Sequence, residues 1–69
     1  MSPTDAAQVL ADTMNQIEAA GFILYPHPRP ISISIRILRD GLERAAHPDD
    51  TIRVASISDE GDGQGWRVK

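Results

Sequence analysis

The chain has 69 residues, a net charge of −3 and no cysteine. A chain this short has room for one domain with a small core, and the lack of cysteine excludes disulfides and thiolate zinc sites as sources of stability. Neither a signal peptide nor a run of about 20 apolar residues is present, which predicts a cytoplasmic protein without membrane contact. Because small domains are often stabilised by association, a homodimer is a first hypothesis.

The first predicted element is a helix that begins after Ser2 and ends before Gly21. Ser2 is a good N-cap, and Asp5 at the third helical position can complete a capping box. One apolar stripe recurs at helical spacing, formed by Ala6, Leu10, Met14 and Ile17. Gly21 can adopt the left-handed conformation that ends a helix, which puts Phe22 at the position that packs on Ile17 in a Schellman motif.

A short apolar run after the helix, residues 22–25, predicts a buried strand. The next five residues, 26–30, contain three prolines, which exclude both a helix and a central strand. We expect these five residues to form an extended, stiff loop with polyproline-like dihedral angles.

The segment 31–37 alternates isoleucine with serine or arginine, which is typical of a half-buried strand. Beyond it a helical spacing competes with that interpretation, through Ile35, Leu38, Leu42 and Ala45. We expect a strand over 31–37 and a short second helix over 38–46, which is rich in helix formers although Gly41 disfavours a helix. If Asp40 and Gly41 form a tight hairpin turn instead, the second helix is absent.

A turn and two further strands complete the predicted elements. The turn covers residues 47–50, and the strand after it covers 51–57. A flexible loop of acids and glycines then spans 59–65. The last strand, 66–68, is short, and we expect it to pair with 51–57 as a hairpin.

The strand over 51–57 has an irregular apolar pattern. Ile52 and Val54 share one face, whereas Ile57 falls on the opposite face. Either both faces are partly covered, or a β-bulge shifts the register within the strand.

Together these elements predict an α+β fold in one domain. The N-terminal helix packs on a three- to four-stranded, largely antiparallel sheet, and a short second helix lies between two of the strands. The predicted core comprises Leu10, Met14, Ile17, Phe22, Leu24, Ile33, Ile35, Leu42, Ile52, Val54 and Trp66.

No residue pattern in the chain predicts catalysis, a cofactor or a metal site. The acids of the loop over 59–65 lack the spacing of an EF-hand, and His27 and His47 are isolated loop histidines. Alternation explains the serines of the predicted strands, whereas catalytic serines lie on sharp, glycine-flanked turns. Phosphate-binding glycine motifs are absent. We therefore expect a protein that is not an enzyme.

The middle of the chain is locally basic within an acidic protein. Arg29, Arg36 and Arg39 follow one another with no acid between them, and Tyr25 lies just before them. Such residues contact phosphates and stack on bases in nucleic-acid-binding proteins. Tryptophan, tyrosine and arginine are also over-represented at protein interfaces, so we predict an interface formed by these four residues and Trp66. The alternative for Trp66 is a place in the core.

The stretch 42–54, LERAAHPDDTIRV, resembles a pattern found in small actinobacterial and actinophage proteins. In that pattern a helix ends in a proline–aspartate turn and leads into a strand, followed by an acidic glycine loop. The resemblance covers less than half of the chain and carries no site residue. It implies a phage or mobile-element accessory protein that binds a host or phage partner.

These features favour a non-enzymatic protein-interaction module, such as an inhibitor or adaptor that acts on a protein partner. The alternative is a small DNA- or RNA-binding regulator that uses Arg29, Arg36 and Arg39. The two hypotheses differ in salt dependence, because binding to phosphates weakens steeply with salt and an apolar interface does not.

Overall fold

The computed structural model describes residues 1–44 and 46–69, which form one α-helix and one antiparallel sheet. In chain order the elements are α1 (Pro3–Ala19), β1 (Ile31–Leu38), a single 3-10 turn (Pro48–Asp50), β2 (Thr51–Asp59) and β3 (Arg67–Val68). The strand order in the sheet is β1-β2-β3. This arrangement confirms the predicted α+β fold.

Both ends of α1 are capped as the sequence predicts. The Ser2 hydroxyl accepts a hydrogen bond from the Asp5 N–H at 3.1 Å, and the Asp5 carboxylate accepts one from the Ser2 N–H at 3.4 Å. At the other end Gly21 takes a φ of +99°, and the Phe22 N–H donates to the Ile17 carbonyl at 3.4 Å. The local sequence therefore determines where this helix starts and stops.

The core lies where α1 packs against β2 and β3. Its buried apolar members among the described residues are Ala7, Ala11, Met14, Ile57 and Trp66. Partly buried side chains pack around them: Leu10, Leu24, Ile31, Ile33, Ile35, Ala55 and Val68. Because two of the buried helical residues are alanines, the apolar area that the core removes from water is small.

Three residues of the predicted core are exposed. Phe22 is 66% exposed, Ile52 is 50% exposed, and Leu42 is also on the surface. Ile57, which the prediction left out, is fully buried.

The predicted strand over 22–25 does not form. The Tyr25 carbonyl, at the end of this segment, accepts from a side chain, as does the carbonyl of His27 just beyond it. The Arg29 guanidinium donates from Nη1 to the carbonyl of Tyr25 at 2.6 Å and to that of His27 at 2.8 Å. Leu24 of the run packs against the core, and Tyr25 contacts the ring of Trp66 edge-on.

The predicted second helix is also wrong for the residues that the structure describes. Arg39 to Leu42 form a turn in which the Leu42 N–H donates to the Arg39 carbonyl at 3.1 Å. Gly41, inside the turn, has a φ of +83°, which is incompatible with an α-helix. A turn thus forms at Asp40 and Gly41, but it is not the tight hairpin of the alternative, because β1 ends at Leu38 and β2 begins only at Thr51. The Ala45 portion of the predicted helix lies outside the described residues.

A β-bulge explains the irregular apolar pattern of β2. Ile35 pairs with Ala55 and Arg36 pairs with Arg53, so Val54 is the extra residue on β2. The bulge brings Ile57 and Ile52 onto the same face of the sheet, although a regular strand would place an odd-numbered and an even-numbered residue on opposite faces. Both then share the sheet face of the β1 isoleucines, and only Ile57 lies beneath α1.

Candidate functional site

The outer edge of β1 lacks a strand partner, because β1 is the first strand of the sheet. The Arg39 N–H donates to the Asp50 carbonyl at 3.1 Å, so the odd-numbered backbone groups of β1 point towards β2. The alternate residues Ser32, Ser34 and Arg36 therefore direct their N–H and carbonyl groups outwards. Within residues 1–44 and 46–69 these groups have no backbone partner.

The apolar face of β1 is only partly covered, because α1 packs chiefly on the other two strands. Ile31, Ile33 and Ile35 are half-buried at the margin of the core. Ile37 pairs directly with Ile52 across the sheet, and these side chains are 51% and 50% exposed. An apolar strip therefore continues from the core to the surface along β1.

Edge strands of monomeric proteins usually carry features that prevent pairing with another chain, such as several charges, a proline or a bulge. β1 has eight residues with the sequence ISISIRIL, and its single charge is that of Arg36. The bulge lies on β2 and leaves β1 regular. This edge therefore retains the backbone geometry that a further strand needs.

The overall dimensions agree with an incompletely covered sheet. The radius of gyration is 13.6 Å, compared with about 11 Å for a compact domain of this length. The accessible surface is 5059 Å², about 800 Å² more than expected for a folded monomer of 7.5 kDa.

Arg29 lies at the other end of the sheet, in a cluster that joins the loop before β1 to the core. Its Nε is 3.2 Å from a carboxylate oxygen of Asp59, and its guanidinium carbon lies 5.3 Å from the centre of the Trp66 ring. Tyr25 contacts the same ring edge-on, at 5.8 Å between centroids. Two carbonyl groups, a carboxylate and an aromatic face of the same chain thus contact the Arg29 side chain.

Trp66 is 2% exposed and fills the core beneath these residues. Its indole N–H donates to the Glu18 carboxylate at 2.7 Å, which satisfies the only polar atom of the ring. The alternative of a core position for Trp66 is therefore the one that the structure supports. The predicted interface set is divided, because Arg29 and Trp66 belong to the interior cluster while Arg36 and Arg39 are exposed.

The second face of the sheet is polar and carries cations. Arg36 lies directly opposite Arg53, and Ser34 lies opposite Ser56. A shallow open depression beside this pair is lined in part by Arg53, Ser56 and Lys69. Arg36 donates from Nε to the Thr51 hydroxyl at 2.6 Å, and neither Arg36 nor Arg53 makes an ion pair with the described residues.

Sequence reasoning missed Arg53 on this face and Ile37 with Ile52 on the other. The alternating pattern of β1 already placed Ile37 on the apolar face. Its exposure, however, depends on how far α1 covers that face, which the pattern does not predict. The bulge decides which face of the sheet Ile52 and Arg53 each occupy. The irregular position of Ile57 had indicated a bulge as one of two explanations.

The acidic loop after β2 carries a carboxyl group, that of Asp62, whose pKa is lowered. The Gln64 N–H, followed by the Arg67 guanidinium, holds the pKa of Asp62 below its usual value. The Asp62 side chain thereby closes the turn and contacts Arg67 at 2.7 Å.

The described residues contain no group of three or more histidine and carboxylate side chains placed to hold a metal ion. Within the same ranges no helix has the length and apolar character of a membrane span. Comparisons of the chain with protein-family models, curated proteins and solved structures gave no match.

Proposed function

We propose that this chain is a non-enzymatic protein-interaction module whose docking surface comprises the outer edge of β1 and the adjoining isoleucine strip. The occupant is an extended protein segment that adds to β1 as a further antiparallel strand. The observation that carries the proposal is the run of outward-facing backbone groups at Ser32, Ser34 and Arg36. Strand addition of this kind takes its affinity from main-chain hydrogen bonds and its specificity from alternate side chains.

The exposed apolar strip supports the same surface. A strand placed beside β1 brings every second side chain alongside Ile31 to Ile37, on the sheet face that α1 covers only in part. The surface excess of about 800 Å² equals the area that one partner contributes to a standard protein interface. An inhibitor or adaptor of phage or mobile-element type would use such a surface to bind a host or phage protein.

A capture experiment with matched variants tests the docking surface. The tagged chain is mixed, after nuclease treatment, either with a bacterial lysate or with an untagged second copy of itself. Ser34→Pro removes an outward N–H and leaves the bonds between β1 and β2 intact, and Ser34→Thr is its control. Ile37→Asp places a charge on the strip, and Val9→Asp places one at a similarly exposed site on α1.

We expect the wild type and both controls to retain one protein in near-stoichiometric amount, either a lysate protein or the untagged second copy. Ser34→Pro and Ile37→Asp should each lower its recovery at least about tenfold, since each removes a contact of the interface centre. Retention that is equal for all five proteins, or no retained protein from either source, would overturn the proposal. Circular dichroism and the melting temperature establish that each variant is folded.

A second candidate function is suggested by the polar face. Arg36 and Arg53 are directly opposite each other, and two like charges in this position destabilise a sheet unless an anion lies between them. Together with Lys69 they form a basic patch in an acidic protein. A DNA- or RNA-binding regulator would use this patch, and of the three predicted arginines only Arg36 belongs to it.

Salt dependence distinguishes this second function from the first. Binding of a fluorescent single-stranded oligonucleotide should weaken steeply between 50 and 200 mM salt, on the order of tenfold or more for a few phosphate contacts. Replacing Arg36 and Arg53 with alanine should abolish binding, whereas Arg39→Ala serves as the control outside the pair. Binding that does not depend on salt or on these two residues would exclude the polar face.

A further inference from the structure

We infer that the segment that docks on β1 is the β1 strand of a second copy of this chain. The two strands run antiparallel about a twofold axis at Ser34 and join two three-stranded sheets into one. This inference rests on the proposed docking surface and names its occupant. Three features of β1 carry it: its outward backbone groups, its side-chain sequence and the charge of Arg36.

The backbone pattern of β1 is complementary to itself about Ser34. In an antiparallel pair, directly opposite residues either exchange two hydrogen bonds or none, and the two kinds alternate. A twofold axis at Ser34 pairs the outward groups of Ser34 with those of Ser34 in the second copy. It also pairs Ser32 with Arg36 on both sides, so about six hydrogen bonds connect the chains.

The side chains match in the same register. Ile33 lies opposite Ile35 of the second copy, and Ile31 lies opposite Ile37. Residues that face each other in an antiparallel pair lie on the same side of the sheet, so all four isoleucines of each chain form one apolar surface. Ile37, half exposed in the single chain, then gains an isoleucine neighbour on its open side.

The charge of Arg36 disfavours a twofold axis placed at that residue. A twofold axis at Arg36 would place the two guanidinium groups opposite each other, beside Arg53 on the same face, and like charges in that position repel. The axis at Ser34 separates the two Arg36 side chains by opposing each to Ser32, whose hydroxyl is contacted by Lys69 Nζ at 3.4 Å. β1 contains no acid, so it cannot neutralise a basic partner strand. A second copy of β1 does not need an acid there.

The size of the core gives association a thermodynamic role. Five buried apolar residues, two of them alanines, form the core in the described part of the chain. Domains of this length are commonly stabilised by disulfides, a metal or oligomerisation, and this sequence has no cysteine. Pairing along β1 therefore supplies burial that the single chain lacks.

Sedimentation equilibrium of the full chain over a range of concentrations tests the inference. The wild type and Ser34→Thr should sediment as dimers, and Ser34→Pro should raise the dissociation constant at least about tenfold, since it removes an N–H at the axis from each chain. A charge pair provides a second test that does not depend on tolerance of proline. Ser34→Arg and Ser34→Asp place like charges across the axis, so an equimolar mixture should associate more tightly than either variant alone.

The outcomes separate this inference from the docking surface itself. A wild type that is monomeric at all concentrations, while a lysate protein is captured and then lost with Ser34→Pro, would overturn self-pairing and leave the docking surface in place. A dimer that is unaffected by Ser34→Pro and by the charge pair would overturn pairing at β1. Dimers that dissociate with Ser34→Pro and recover in the mixture would support both.

Discussion

The side-chain amide of Asn15 binds the backbone of Trp66 at both of its polar atoms. Its Oδ1 accepts from the Trp66 N–H at 2.7 Å, and its Nδ2 donates to the Trp66 carbonyl at 2.7 Å. Gly65 lies against this contact with a φ of +76°, and a Cβ at that position would be 2.6 Å from Oδ1. A helix side chain thus takes the place of a neighbouring strand at the start of β3.

Removal of this contact should destabilise the fold. Asn15→Ala leaves a partly buried N–H and carbonyl of Trp66 without partners, at a cost of about 2–3 kcal/mol. Urea unfolding followed by the fluorescence of Trp66, the only tryptophan, measures the loss. Gln16→Ala, on the exposed side of the same helix turn, should change the free energy of unfolding by under about 0.5 kcal/mol. Equal losses in the two variants would contradict the structural role of Asn15.

Arg29 and Arg39 should behave differently although both belong to the basic middle of the chain. Arg29→Met keeps an unbranched stem but removes the Asp59 ion pair, the contact with the Trp66 ring and two bonds to carbonyls. We expect a loss of about 1–2 kcal/mol, because the ion pair and the cation–π contact are partly shielded from water. Arg39→Met, at an exposed position, should have an effect near zero.

The same unfolding experiment contains an independent readout for Arg29. Because its guanidinium lies over the indole, the emission of folded Trp66 should change in Arg29→Met and remain unchanged in Arg39→Met. If both variants unfold like the wild type with unaltered emission, Arg29 is not a structural residue, and its assignment to a binding surface regains support.

The parts of the fold that depend on neighbouring residues followed from the sequence. Ser2, Asp5 and Gly21 cap α1 through contacts within one turn, so their effect is independent of the rest of the chain. The alternation of β1 likewise fixed which side chains share a face. The acidic loop and the pairing of the last strand with β2 were also predictable from local composition.

The remaining parts depend on contacts between distant residues. The guanidinium of Arg29 decides the course of the segment before it, and its ion-pair partner is 30 positions away in the chain. The bulge at Val54 decides which side of the sheet Ile52 and Arg53 each face, and residue propensities do not predict where a bulge forms. At Gly41 the competing preferences come from neighbouring residues. The helix formers around it led us to predict a helix, whereas in the structure the glycine forms a turn.

Asp62 provides a test of the loop electrostatics through pH. Its pKa in the folded state is lowered by the Gln64 N–H and then by Arg67, so the ionised carboxylate favours folding. This stabilisation is complete above the unfolded aspartate pKa of about 3.9, and it is lost as pH falls through the lower folded pKa. The melting temperature of the wild type should therefore exceed that of Asp62→Asn at neutral pH, and the difference should shrink in acid.

The exposed neighbour Glu60 supplies the control for this loop. Glu60→Gln removes a charge from the same turn without touching the Gln64 or Arg67 contacts, so its melting temperature should follow that of the wild type. Carbon-detected NMR titration of the Asp62 carboxyl tests the direction of the shift directly. A midpoint above the ordinary aspartate value would refute the proposed contacts.

Amide hydrogen exchange along β1 tests the orientation of its backbone and the pairing of its edge together. In dilute protein the odd-numbered amides of Ile33, Ile35 and Ile37 should exchange slowly, because they point towards β2. The even-numbered amides of Ser32, Ser34 and Arg36 should exchange rapidly. As concentration rises, protection should increase at the even-numbered amides, since only these gain partners in the dimer. If the protein dimerises while these amides still exchange rapidly, the second copy binds elsewhere and the free edge of β1 is not its site.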